Sequence, residues 1–156
     1  MVVFDPNVMN FEKRKQKKSG GHRAQRYGAL FESQIESTLK MFKLNYKTHV
    51  NICKTLFGTD QYTDFIVYGI PGFEDGLAIE SKTQTSRGSA DEKLYYFINN
   101  IKQQFPIPCI IVYSLDGVSQ KKRDWLLKQK DGAKIIEIFK YDKFLIWLHK
   151  RLENDE

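Results

Sequence analysis

Two short β-prone runs, separated by eight turn-forming residues, each place an acid in an otherwise apolar setting, and this arrangement constrains the fold more than any other stretch of the chain. The first run is Thr63-Asp64-Phe65-Ile66-Val67-Tyr68 and the second is Leu77-Ala78-Ile79-Glu80-Ser81-Lys82-Thr83. Between them, Gly69-Ile70-Pro71-Gly72-Phe73-Glu74-Asp75-Gly76 has the residues of a turn, so the whole reads as a hairpin. Gly72 is equidistant from Asp64 and Glu80, so a loop centred there sets the two acids opposite each other, with side chains roughly 5 Å apart on one face. Lys82, two residues beyond Glu80, points the same way.

Two carboxylates that close repel unless a cation lies between them, and hard divalent ions prefer carboxylate oxygen. The spacing therefore predicts a Mg²⁺ site at Asp64 and Glu80 with the Lys82 ammonium beside it. A solvated hairpin face with a weak Glu-Lys pair is the plainer alternative. Against it, Ile79 precedes Glu80, and Ser81 and Thr83 suit an interior strand, where charge needs compensation.

The remaining periodicities supply the other elements. Tyr27, Phe31, Ile35, Leu39 and Phe42 fall near helical spacing, predicting a first helix over residues 23–44. A strand over residues 46–53 follows, then the hairpin. Ser89-Ala90-Asp91-Glu92 fits a capping box with Ser89 as N-cap, ahead of Leu94, Phe97, Ile98, Ile101 and Phe105. Here Asp91 and Glu92 read as dipole-compensating residues rather than ligands. Residues 109–113 read as a buried strand, 119–129 as a helix, 134–139 as a strand and 141–152 as a closing helix. Trp125, Leu126, Phe144, Leu145, Trp147 and Leu148 read as packing against the sheet, while one of Tyr95 and Tyr96 is expected to face outward.

This order of elements, together with Asp64 and Glu80-Ser81-Lys82, resembles the PD-(D/E)xK nuclease superfamily. The resemblance implies an α/β fold, a restriction-endonuclease-like central mixed β-sheet flanked by helices in the order αβββαβαβα. It carries the catalytic centre onto Asp64, Glu80 and Lys82, and it adds Glu32, in Gly28-Ala29-Leu30-Phe31-Glu32, as an auxiliary metal ligand. Thr63 stands where the motif's proline would precede the aspartate. Asp60 competes with Asp64 for the acidic position, and Asp75 does so more weakly. Asp60 lies in Gly58-Thr59-Asp60-Gln61, which reads as a loop, and does not face Glu80 in the simplest register. The stretch from Gln84 to Leu94, with its Gly88-Ser89-Ala90-Asp91-Glu92-Lys93-Leu94, is also similar to cleavage subunits and domains of some restriction and nicking endonucleases.

The chemistry such a centre performs asks for these residue types. Phosphodiester hydrolysis builds negative charge on the transferring phosphate; a metal at Asp64 and Glu80 offsets it and lowers the pKa of a bound water. Lys82 orients that water or the scissile phosphate, and removing such a group costs roughly 3 kcal/mol or more of barrier lowering. Gln84 shares the strand face of Glu80 and Lys82, which places it either at the water or phosphate or at an ordinary polar strand end. Mg²⁺ is the expected cofactor, with Mn²⁺ as a substitute, and the family implies products with a 5′-phosphate and a 3′-hydroxyl.

Charge points to the substrate. Lys13, Arg14, Lys15, Lys17, Lys18, Arg23 and Arg26 lie within residues 13–26 with no acid among them, leaving 18 basic against 19 acidic residues elsewhere, so one segment owns the net +6. Such an arm binds phosphates in a salt-dependent way, although it also fits a solubilising tail. The expected organisation is a flexible basic arm over residues 1–22 and one nuclease domain over residues 23–156. Cys53 and Cys109 read as buried thiols, and His22, His49 and His149 form no recognisable ligand set. Met1-Val2-Val3-Phe4 is interrupted by Asp5-Pro6, and no apolar run approaches the ~20 residues of a membrane span, so a cytoplasmic protein without a membrane partner is expected.

These observations predict a Mg²⁺-dependent DNA endonuclease that cleaves for a restriction or nicking system. Little chain remains for a sequence-reading domain, so a homodimer, a separate recognition subunit or DNA shape is expected to select the target. A Holliday-junction resolvase and a catalytically silent DNA-binding protein of the same fold are the alternatives.

Overall fold

A computed structural model describes residues 20–83 and 91–154. Helix α1 spans Gly20–Met41 and buries Phe31, Ile35 and Leu39, one residue per turn, while Tyr27 stays exposed. The helix starts three residues before the expected Arg23 and stops three short of Leu44. Its end is a Schellman turn: Lys43 adopts φ 56°, its N–H donates to the Lys40 carbonyl at 3.0 Å, and the Leu44 N–H reaches back to Leu39 at 3.1 Å.

Strands β1 (Asn45–Lys54) and β2 (Asp60–Tyr68) form an antiparallel hairpin, followed by β3 (Leu77–Thr83), α2 (Asp91–Gln104), β4 (Cys109–Ser114), α3 (Gln120–Leu127), β5 (Ile135–Lys140) and α4 (Tyr141–Glu153). The five strands lie in chain order in one sheet. Strands β1 to β3 run antiparallel, and β3, β4 and β5 are parallel neighbours joined through α2 and α3. This is the expected mixed sheet in the order αβββαβαβα. Asp60 departs from expectation: it opens β2 opposite Lys54 and pairs with that lysine's ammonium, while the turn is confined to residues 55–59. The Thr55 N–H donates to the Thr59 carbonyl at 2.7 Å, and Gly58 supplies the positive φ.

Strand alternation divides the core between the two faces. On one, α1 and α4 pack Ile35, Leu39, Phe144 and Leu148 over Phe65, Val67, Leu77, Ile79, Ile110 and Val112. On the other, α2 and α3 pack Ile98, Ile101, Phe105 and Leu126 over Ala78, Cys109, Ile111 and Ile135. Residues Cys109 to Tyr113 are buried in succession, as expected of an interior parallel strand covered on both faces. Cys109 is buried but Cys53 only half-buried, because β1 is the sheet edge. Tyr95, rather than Tyr96, is the outward-facing aromatic of α2, although its ring meets Trp125 edge-on at 4.5 Å.

A partly buried polar pair pins α1 to α4. The Thr38 hydroxyl donates to the Gln34 carbonyl at 3.1 Å, leaving the Tyr141 hydroxyl to donate to it at 2.6 Å. Tyr141→Phe removes one hydrogen bond and leaves Thr38 its backbone partner, so a loss of about 1 kcal/mol is expected from urea unfolding. An unchanged midpoint would show that the pin contributes nothing.

Candidate active site

The β2–β3 ladder is short. It pairs Val67 with Leu77, Ile66 with Ala78 and Phe65 with Ile79. Beyond that point β2 continues beside β1, whereas β3 continues beside β4 as far as Thr83 opposite Ser114. The sheet therefore forks at the next pair of positions, Asp64 and Glu80, which the same register sets opposite each other. Parting strands leave backbone groups without ladder partners, and these must be satisfied in another way. Asp64 does so: its Oδ2 accepts from the Ser81 N–H at 2.8 Å and from the Ser81 Oγ at 3.0 Å. Two donors on one oxygen hold the carboxylate inside the fork.

Glu80 lies on the Asp64 side of β3 and is only 6% exposed. Its Oε1 is fully buried without a hydrogen-bond partner, as is the Thr63 hydroxyl. Burial, and then the charge of Asp64, push the Glu80 carboxyl up to about 8, with the Lys82 charge opposing them. A buried acid with an unsatisfied oxygen beside a second acid is costly for a metal-free fold and well suited to a cation. Lys82 follows on the same strand, with its ammonium 3.8 Å from the centre of the Phe97 ring of α2. The aromatic face holds the charge next to the fork without neutralising it.

Helix α1 covers the fork. A Cβ on Gly28 would sit 3.6 Å from the Thr83 Oγ1, so the helix runs close to the end of β3, and Glu32 lies one turn further along. The Glu32 carboxyl is raised by burial and by the charge of Asp64, partly offset by His49. His49 completes the group: one ligand atom from each of Glu32, His49 and Asp64 falls within 4.8 Å of the others.

One family model matches residues 23–152, and it describes the PD-(D/E)XK nuclease superfamily domain. The chain belongs to the PD-(D/E)XK nuclease superfamily. No curated protein and no solved structure matches it. Asp64 and Glu80, the two acids at the fork, lie within the matched residues, and Glu32 approaches Asp64 from α1. Asp60 is excluded as a partner of Glu80, because it sits at the far end of β2 with Lys54. Asp75 lies exposed in the β2–β3 turn.

Among the basic residues, Arg23 and Arg26 belong to α1, whereas Lys13, Arg14, Lys15, Lys17 and Lys18 lie outside the described residues, as do Gln84 and the Ser89 cap. Among the described residues no helix is long and apolar enough to cross a membrane.

Two participants escaped the sequence reading. Ser81 was visible only as an interior-strand residue, and its role depends on the strands parting. His49 corrects the expectation that no histidine joins a ligand set. Centring the first hairpin on Phe57-Gly58 sets Asn51, not His49, across from Asp64; the observed register arises through the shift between Asn51 and Cys53, which the turn residues do not announce.

Proposed function

We propose that this PD-(D/E)XK domain is a Mg²⁺-dependent DNA endonuclease, the cleavage component of a restriction or nicking system. The observation that carries the reading is Glu80: a buried carboxyl with an unpartnered oxygen, adjacent to the Ser81-anchored carboxylate of Asp64. A hydrophobic or amide side chain would satisfy a purely structural role at lower cost. Asp64 and Glu80 would hold the ion, with Glu32 as auxiliary ligand and Mn²⁺ as a substitute. The bound ion would polarise the phosphate and ease deprotonation of water.

The chain's own residues do the rest. Ser81 keeps Asp64 in one rotamer, so the carboxylate needs no reorganisation when substrate arrives. Lys82, resting on Phe97, is a cation beside the fork that would orient an incoming phosphate or the attacking water. Gln84, next in sequence after β3, would be a further polar contact to either group. Lys13, Arg14, Lys15, Lys17, Lys18, Arg23 and Arg26 neutralise backbone phosphates, which makes binding fall with salt. Target selection would come from a second copy, a recognition subunit or DNA shape.

Cleavage of labelled duplex and four-way-junction DNA with Mg²⁺, alone and with candidate partner subunits, tests this reading. Duplex cutting by the wild type is expected, slowed about a hundredfold or more in Lys82→Ala with DNA binding retained. Junction-selective cutting would transfer the activity to a resolvase. Equal rates for both proteins would remove Lys82 from the mechanism.

A further inference from the structure

His49 sits where an ordinary strand residue would not adopt its backbone. The pairs Thr48 with Phe65 and Val50 with Thr63 bracket it, so it stands across β1–β2 from Asp64, yet its φ is 50°. A left-handed residue in a strand costs on the order of 1–2 kcal/mol unless glycine occupies it, although histidine tolerates it better than most. The imidazole is 68% exposed, and its Nε2 lies 3.6 Å from the Glu32 Oε2. An exposed histidine–carboxylate pair at that distance contributes little by itself. The same carboxylate, however, also approaches Asp64, and one ligand atom from each of the three residues fits within 4.8 Å.

We propose that His49 is a nitrogen ligand to a divalent cation held jointly with Glu32 and Asp64, and that it biases the centre towards Mn²⁺ or Co²⁺ over Mg²⁺. The inference rests on the metal-dependent reading above and adds to it the identity of the preferred ion. Two independent features carry it. The first is the convergence of an imidazole and two carboxylates from β1, α1 and β2, three elements brought together only where the sheet forks. The second is the neighbouring Glu80, more than nine-tenths buried, whose Oε1 has no partner on the Asp64 side of β3.

The preference follows from ligand chemistry. Mg²⁺ is hard, small and retains water and oxygen ligands, so an imidazole adds little to its binding. Imidazole suits later first-row ions, whose affinity for nitrogen-containing sites rises from Mn²⁺ to Co²⁺. Asp64 is common to both halves of the site, opposite Glu80 on one side and His49 on the other. An ion bound by Asp64 is therefore within reach of a nitrogen as well as of oxygen.

Electron spin-echo spectroscopy of the Mn²⁺-loaded protein reads the bond directly, because a coordinated ring nitrogen modulates the echo. The full chain should show nitrogen modulation, and His49→Gly, which keeps the positive φ without strain, should lack it. Calorimetric titration should give Mn²⁺ affinity lowered roughly tenfold or more in His49→Gly, with Mg²⁺ affinity changed by no more than about threefold. Mn²⁺ bound without nitrogen modulation in the wild type, and equally tightly by the variant, would overturn the proposal and leave a carboxylate metal site standing. Failure of the wild type to bind either ion would overturn both.

Discussion

Asp64→Asn is expected to lower the rate of Mg²⁺-dependent DNA cleavage by about a thousandfold or more while leaving the fold intact. The substitution isolates charge from shape. Asparagine keeps an oxygen that can accept from the Ser81 N–H and Oγ, so the parted strands remain bridged. What disappears is the negative charge shared by both sides of the fork, and with it the ability to hold a cation against Glu80, Glu32 or His49. Losing an electrostatic contribution of this kind costs roughly 3–4 kcal/mol of barrier lowering. An ion that binds only the folded state must also stabilise it, so Mg²⁺ should raise the melting temperature of the wild type and not of Asp64→Asn. Full activity in the variant would remove Asp64 from the catalytic centre.

The second large effect is a stability that depends on Glu80 and on pH. In the metal-free protein the Glu80 carboxyl titrates at about 8, against 4.5 for an ordinary glutamate, chiefly because it is buried and then because Asp64 is charged. Between those values the folded chain holds a proton that the unfolded chain has released. The contribution is therefore complete below about 4.5 and is lost progressively as pH rises through about 8. A shift of this size is worth several kcal/mol, on the order of 3–5 at full development. Glu80→Gln, neutral at every pH, should be more stable than the wild type at pH 8 in chelator, with the gap closing towards pH 4.5. Urea midpoints of the two proteins across that range measure it, and a gap independent of pH would show that Glu80 does not carry the shift. Saturating Mg²⁺ should narrow the gap at pH 8, because the ion binds the carboxylate and competes with the proton.

Much of this molecule follows from local pattern. The helix of Phe31, Ile35 and Leu39, the buried run of Cys109 to Tyr113 and the turn between β2 and β3 are each properties of neighbouring residues. Their spacing was sufficient to place Asp64 opposite Glu80, because side-chain alternation and a turn centred on Gly72 leave one simple register. Helix ends were less legible. The first helix stops at Met41 because Lys43 turns left-handed, a conformation that lysine does not announce. Asp60 was misplaced for a related reason, since the cross-strand partner that holds it in β2, Lys54, lies on the other side of the turn.

By itself, then, the sequence determined the order of elements, the placement of Asp64 opposite Glu80 with Lys82 two residues on, and the concentration of positive charge at residues 13–26. These depend on periodicity, turn chemistry and counting, all of which act over short distances along the chain. Tertiary structure alone decided that the sheet forks at Asp64 and Glu80, that Ser81 fills the gap, and that Glu32 and His49 reach Asp64 from α1 and β1. Each depends on where two strands part company and on what packs over the opening. That is settled by competition among long-range pairings, with β3 completing its ladder with β4 while β2 stays with β1, and no single segment contains both sides of it.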